Sequence, residues 1–110
     1  MPHIIVEYSA NLNGQVDVQG LVATLHDTLA KAGIDKTRIK TRAVALSDYR
    51  VGDLADGAMI HATLLLLKGR DIPTRKSYGQ SLYDVLKPAA PAGCAVTLEV
   101  REMEPETYFL

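Results

Sequence analysis

The chain has almost none of the features that would assign it to a special class. Of its 110 residues one is cysteine, one is phenylalanine and none is tryptophan. Cys94 stands alone, so no intrachain disulfide can form, and a reducing compartment is the simpler expectation. No apolar run reaches the length of a membrane-crossing helix, and the first one, Ile4 to Val6, is too short for a signal-peptide core. These gaps predict a cytoplasmic protein with no membrane attachment. Charge of one sign is also lacking. Twelve basic residues face 13 acidic ones, and no basic block exceeds Arg75-Lys76, which argues against nucleic-acid binding. No His, Cys, Asp or Glu cluster has metal-ligand spacing, and no glycine-rich phosphate loop or Ser-His-Asp order is present.

What remains is an ordinary apolar content of 47%, enough for one domain spanning 1–110. Its pattern repeats. Residues 3–8 (Ile4, Ile5, Val6, Tyr8) are rich in branched side chains and predict a strand. Asn11-Leu12-Asn13-Gly14 is turn chemistry. Asp17 offers an N-cap to a helix carrying Val18, Leu21, Val22, Leu25 and Leu29, and Gly33 stops it. A second strand is expected over about Ile39 to Leu46.

The second half follows the same order, after a polar loop at Asp53 to Gly57. Met59 to Lys68 predicts a central strand apolar on both faces. A helix from about Pro73 to Leu86 is ended by Pro88 and Pro91. Val96, Leu98 and Val100 then alternate with Thr97, Glu99 and Arg101, a strand with one wet face. The expected fold is α+β, a two-layer sandwich of a four-stranded sheet with two helices on one face. It is built from two consecutive β-α-β units, about 1–55 and 56–110. The sheet face without helices needs a cover, and another copy of the chain is the simplest one. The carboxyl-terminal Pro105-Glu106-Thr107-Tyr108-Phe109-Leu110 either docks on a neighbour or frays.

Candidate chemistry begins at Pro2. A small residue after Met1 favours removal of the methionine, which would leave a free secondary amine at the start of a strand. Such an amine is both a base and a nucleophile. Apolar neighbours such as Ile4, and nearby cations, would lower its pKa by disfavouring its charged form. Lys40 and Arg42 lie two apart on one strand face, and Arg70 stands at the mouth of the second helix; these are the candidate cations. His3, His26 and His61 read as structural, His61 as a hydrogen-bonded core residue. Cys94 reads as an inert buried thiol.

Over its whole length the chain resembles the 5-carboxymethyl-2-hydroxymuconate isomerase family of the tautomerase superfamily. The resemblance lies in Met1-Pro2-His3-Ile4-Ile5-Val6-Glu7-Tyr8-Ser9, Leu29-Ala30-Lys31-Ala32-Gly33-Ile34, Ile39-Lys40-Thr41-Arg42, His61-Ala62-Thr63-Leu64 and Gly69-Arg70. It implies the doubled β-α-β fold, a homotrimer packed sheet to sheet, and cofactor-free proton transfer on an unsaturated dicarboxylate or tricarboxylate. Pro2 would be the general base and Arg70 a substrate-binding arginine. The family's Arg-x-Arg pair is here Lys40-Thr41-Arg42, so only Arg42 keeps the arginine. Lysine retains the charge and loses the bidentate fork. Two other readings stay open: a non-catalytic trimer that kept the fold, and hydratase or dehalogenase chemistry on an unsaturated acid.

Overall fold

The computed structural model describes Met1–Leu110 and contains four strands and two helices in the expected order. They are β1 (His3–Ser9), α1 (Val18–Lys31), β2 (Lys40–Leu46), β3 (Met59–Leu67), α2 (Ile72–Ala89) and β4 (Ala95–Met103). Short 3₁₀ turns occupy Ala10–Leu12, Lys36–Arg38 and Pro105–Thr107. The local signals act as their chemistry requires. Asp17 caps α1 through the Gly20 N–H at 3.0 Å, and Gly33, at φ +108°, takes the left-handed position after it. Asp71 caps α2 through the Thr74 N–H at 2.9 Å.

The sheet order is β2-β1-β3-β4. β1 is parallel to β2, β3 is parallel to β4, and the central β1–β3 pair is antiparallel. Each half is thus one β-α-β unit, and the two are joined back to back. Their correspondence extends to single bonds: the Lys40 N–H reaches the Pro2 carbonyl at 3.1 Å, and the Ala95 N–H reaches the Ala58 carbonyl at 2.9 Å. In both halves the residue just before the first strand accepts from the second.

Both helices pack on one sheet face and build the core there. Ile4, Val6, Ile60, Ala62, Leu64, Leu66 and Val96 point up from the strands to meet Leu21, Leu25 and Leu29 of α1 and Leu82 and Leu86 of α2. Gly79 lets α2 approach closely, because a Cβ there would lie 2.9 Å from Val100 Cγ2.

Three expectations need correction. The helix does not end at Pro88 but runs to Ala89. In the last turn a proline forfeits only one backbone bond, and the apolar packing of Leu82 and Leu86 carries the helix through. Nor is β3 apolar on both faces. Its buried row faces the helices, while the other row, Met59, His61, Thr63, Leu65 and Leu67, is mixed and half-buried. His61 therefore lies on the open face, not in the core, with Nδ1 2.7 Å from Thr97 Oγ1.

Finally, the carboxyl-terminal segment folds back onto its own chain. Lys68 Nζ holds Glu104 at 2.8 Å, the chain turns at Pro105–Thr107, and the Tyr108 hydroxyl lies 2.8 Å from His3 Nε2. Only Phe109 and Leu110, 88% and 90% exposed, project beyond it. No helix is long and apolar enough to cross a membrane.

Candidate active site

Parallel pairing within each unit and antiparallel pairing between them bring one set of chain ends together. The start of β1, the start of β2 and the segment after β3 all lie at the same end of the sheet. Pro2 is buried there, fixed by its carbonyl bond to the Lys40 amide. Being bonded to Met1, its nitrogen is a tertiary amide in this chain; the amine belongs to Met1.

That amine has an unusual setting. Burial, and then the charges of Arg38, Arg70 and Lys40, hold it below the usual value for an amino terminus. Each cation is positioned by local structure. Arg70 stands in the Gly69–Asp71 link between β3 and α2, its guanidinium 5.7 Å from the centre of the Tyr78 ring on α2. Lys40 opens β2 opposite His3, with Nζ 3.3 Å from the Arg38 carbonyl. Arg38 closes the 3₁₀ turn before β2, where Asp35 caps the turn through the Thr37 N–H at 3.0 Å.

Of the residues expected from the sequence, Pro2, Lys40 and Arg70 come together. Arg42 does not join them. It shares the open sheet face with Lys40 but lies two residues further along β2, and its Nη1 is 3.0 Å from His3 Nδ1. Arg38 takes a place that spacing alone had not given it. The available signal was the alternation Arg38, Lys40, Arg42, three cations on every second residue. What obscured it was the turn, which breaks strand periodicity before Lys40 and swings Arg38 toward the terminus.

The other candidates behave as structural groups. His26 Nδ1 is 2.8 Å from Thr41 Oγ1, which ties α1 to β2. Cys94 is buried in the turn before β4, and burial pushes its thiol up, away from the reactive thiolate. The chain's largest cleft lies at the opposite end of the sheet, between Asn11–Gln15, Leu54–Ala58 and Pro91–Cys94. It holds one acidic side chain, Asp56, and no cation, so it lacks what an anionic substrate would need.

Arranged this way, the Pro2 end could bind carboxylates and favour the uncharged form of an amine. Known proteins agree with this reading of the fold. The model of the 5-carboxymethyl-2-hydroxymuconate isomerase family matches residues 2–109. The chain is 32% identical to the 5-carboxymethyl-2-hydroxymuconate Delta-isomerase of Escherichia coli over 116 aligned positions, covering 99% of this chain and 92% of that protein. A solved 5-carboxymethyl-2-hydroxymuconate isomerase from Deinococcus radiodurans R1 superposes with a TM-score of 0.88 at 24% identity, covering 99% of this chain and 87% of the other. A fused 4-OT, a symmetric trimer, shares the fold with a TM-score of 0.75 at 15% identity, over 98% and 90% of the two chains. With its doubled β-α-β tautomerase fold, the chain belongs to the 5-carboxymethyl-2-hydroxymuconate isomerase family.

Proposed function

We propose that this isomerase moves a proton within an unsaturated carboxylic acid of the 5-carboxymethyl-2-hydroxymuconate type, with the amine of Pro2 as general base once Met1 is removed. The observation that carries this is the setting of the chain's first amine: partly desolvated and flanked by Arg38, Arg70 and Lys40. Removal of Met1 would place a secondary amine at Pro2, a buried position held by the Lys40 amide. Desolvation and positive neighbours disfavour the charged form of an amine held at this end of the sheet and so favour the neutral form that a base needs.

In the reaction the neutral amine takes the proton from the enol oxygen, leaving a dienolate and a prolinium ion. The prolinium then returns that proton to a carbon of the conjugated system, so the carbon–carbon double bond shifts and the amine is regenerated. Arg70 and Lys40, with Arg38 beside them, bind the carboxylates and offset the charge that develops on the dienolate oxygen. Arg42 stands apart from this group, bound to His3. No metal or cofactor has a part in these steps. The open sheet face, with Ile5, Leu65 and Leu67 among polar residues, supports association with further copies, and the likeness to the fused 4-OT, a symmetric trimer, favours a homotrimer.

Two measurements test the reading. Intact mass of the protein from its native host is expected to lack Met1; retention would leave Pro2 an amide and end its role as base. Isomerisation of 5-carboxymethyl-2-hydroxymuconate, followed by its ultraviolet absorbance, should fall by about 10²-fold or more in Pro2→Ala, the range lost with a general base. Equal rates would remove Pro2 from the mechanism.

A further inference from the structure

His3 occupies the turning point between the candidate site and the open face, and both its ring nitrogens are engaged. Nε2 lies 2.8 Å from the Tyr108 hydroxyl, and the two rings meet edge to face at 5.8 Å and 75°. Nδ1 lies 3.0 Å from Arg42 Nη1. The proton positions follow from the partners. A guanidinium has five donors, no acceptor, and stays charged, so Nδ1 must accept. Neutral His3 therefore carries its proton on Nε2 and donates it to the Tyr108 oxygen.

The two bonds respond differently to a second proton. Added at Nδ1, it would set an N–H against the Arg42 N–H and place two cations 3 Å apart. The Arg42 bond cannot survive that change. The Tyr108 bond can, because Nε2 donates in both states. Within its own chain, the neighbours of His3 offer no compensating negative charge. Arg42 and Lys40 face it from β2, the amino terminus lies before it on β1, Tyr108 covers it from the carboxyl-terminal segment, and Leu65 pairs with it on β3. Burial and the three positive groups hold the imidazole below its usual value.

We propose that His3 is a proton-operated tether for Arg42: the neutral ring holds the guanidinium on the open face, and the protonated ring releases it, while Tyr108 keeps the ring in place. A consequence follows for the site, resting on the carboxylate-binding reading above. On acidification the imidazolium and a freed Arg42 join Arg38, Lys40 and Arg70, so anions bind more tightly.

Nitrogen-15 NMR of the full chain tests the tether without reference to activity. Above the His3 midpoint the ring should show the Nε2–H tautomer, and the Arg42 side-chain signals should shift with the same midpoint as the ring. An Nδ1–H tautomer, or Arg42 signals that ignore His3, would overturn the proposal. In His3→Gln, which keeps an acceptor and cannot titrate, the Arg42 signals should not respond to pH. Fumarate serves as the anion probe. Its affinity should rise between pH 8 and pH 5.5 by about two- to five-fold more in the wild type than in His3→Gln, the size of one exposed charge pair. The same pH dependence in both proteins sinks the release of Arg42 toward the site. Titrating NMR signals with no fumarate binding at any pH would instead sink the carboxylate-binding reading and leave the tether standing.

Discussion

At the scale of single residues, Lys40 is the clearest departure from the arginine pair that the resemblance implies. It sits at the start of β2, among the cations around the first amine. An ammonium there attracts a carboxylate as a point charge, and a guanidinium would grip it with two parallel bonds. Lys40→Arg should therefore lower KM for the carboxylate substrate several-fold at nearly unchanged kcat, measured by steady-state kinetics. His3 gives a second prediction. Its folded-state pKa lies below the unfolded one, so the unfolded chain binds the extra proton first as pH falls. Stability is then highest above the unfolded value of about 6.5 and drops as pH falls from there through the lower folded value. Urea midpoints between pH 8 and pH 5 should decline in the wild type and decline less in His3→Gln. Residue identity made Pro2, Lys40 and Arg70 visible in the sequence, because their chemistry is local. Arg42's partner was not visible, because the contact between Arg42 and His3 depends on register between strands 39 positions apart.

At the scale of elements, helices and strands were legible wherever their periodicity was clean. Leu21, Leu25 and Leu29 mark the buried stripe of α1, and Val96, Leu98 and Val100 alternate along β4. The pattern failed where composition masked geometry. In β3 a nearly unbroken apolar run hides a strict alternation, with Ile60, Ala62, Leu64 and Leu66 buried and the residues between them on the open face. The 3₁₀ turn at Lys36–Arg38 has no period long enough to detect, so Arg38's direction could not be read. Packing of α2 gives a test at this scale. Gly79→Ala would gain about 1 kcal/mol of helix propensity. The new Cβ, however, would meet Val100 Cγ2 at 2.9 Å, and a β-branched side chain yields poorly. Overpacking of this kind costs about 1–3 kcal/mol, so a net loss of about 1 kcal/mol is expected in chemical denaturation. A stabilised variant would show that α2 can move away from β4.

At the scale of the whole molecule, the two faces of the sheet have different chemistry. One is closed by both helices; the other carries His3, Ile5, Glu7, Lys40, Arg42, Val44 and the mixed row of β3, with Val44 48% exposed. Polar residues at alternate positions there make a surface that can meet water or another subunit, which is why the uncovered face alone predicted a partner, and the number three came only from the family resemblance. Leu65 lies on this face toward the Pro2 end of the sheet, beside His3 across the central strand pair. Leu65→Glu should leave the far-ultraviolet circular dichroism unchanged and shift the protein to smaller species in sedimentation velocity. An unchanged sedimentation coefficient would mean that copies associate elsewhere or not at all.

The paired bonds from Lys40 to Pro2 and from Ala95 to Ala58 have a further consequence for how this architecture can be armed. The fold offers two equivalent seats for the beginning of a strand. The chain threads through the seat at Ala58 as an ordinary amide, so that seat can never present a basic nitrogen. Only at Pro2 can cutting a single peptide bond, the one after Met1, turn a structural carbonyl clamp into the holder of a reactive amine. A permuted chain opened before Ala58, with proline placed there and the old ends joined, would move that capacity to the other end of the sheet. It would find neither Arg38, Lys40 nor Arg70 waiting, and so it would keep the fold and lose the setting proposed to tune the base.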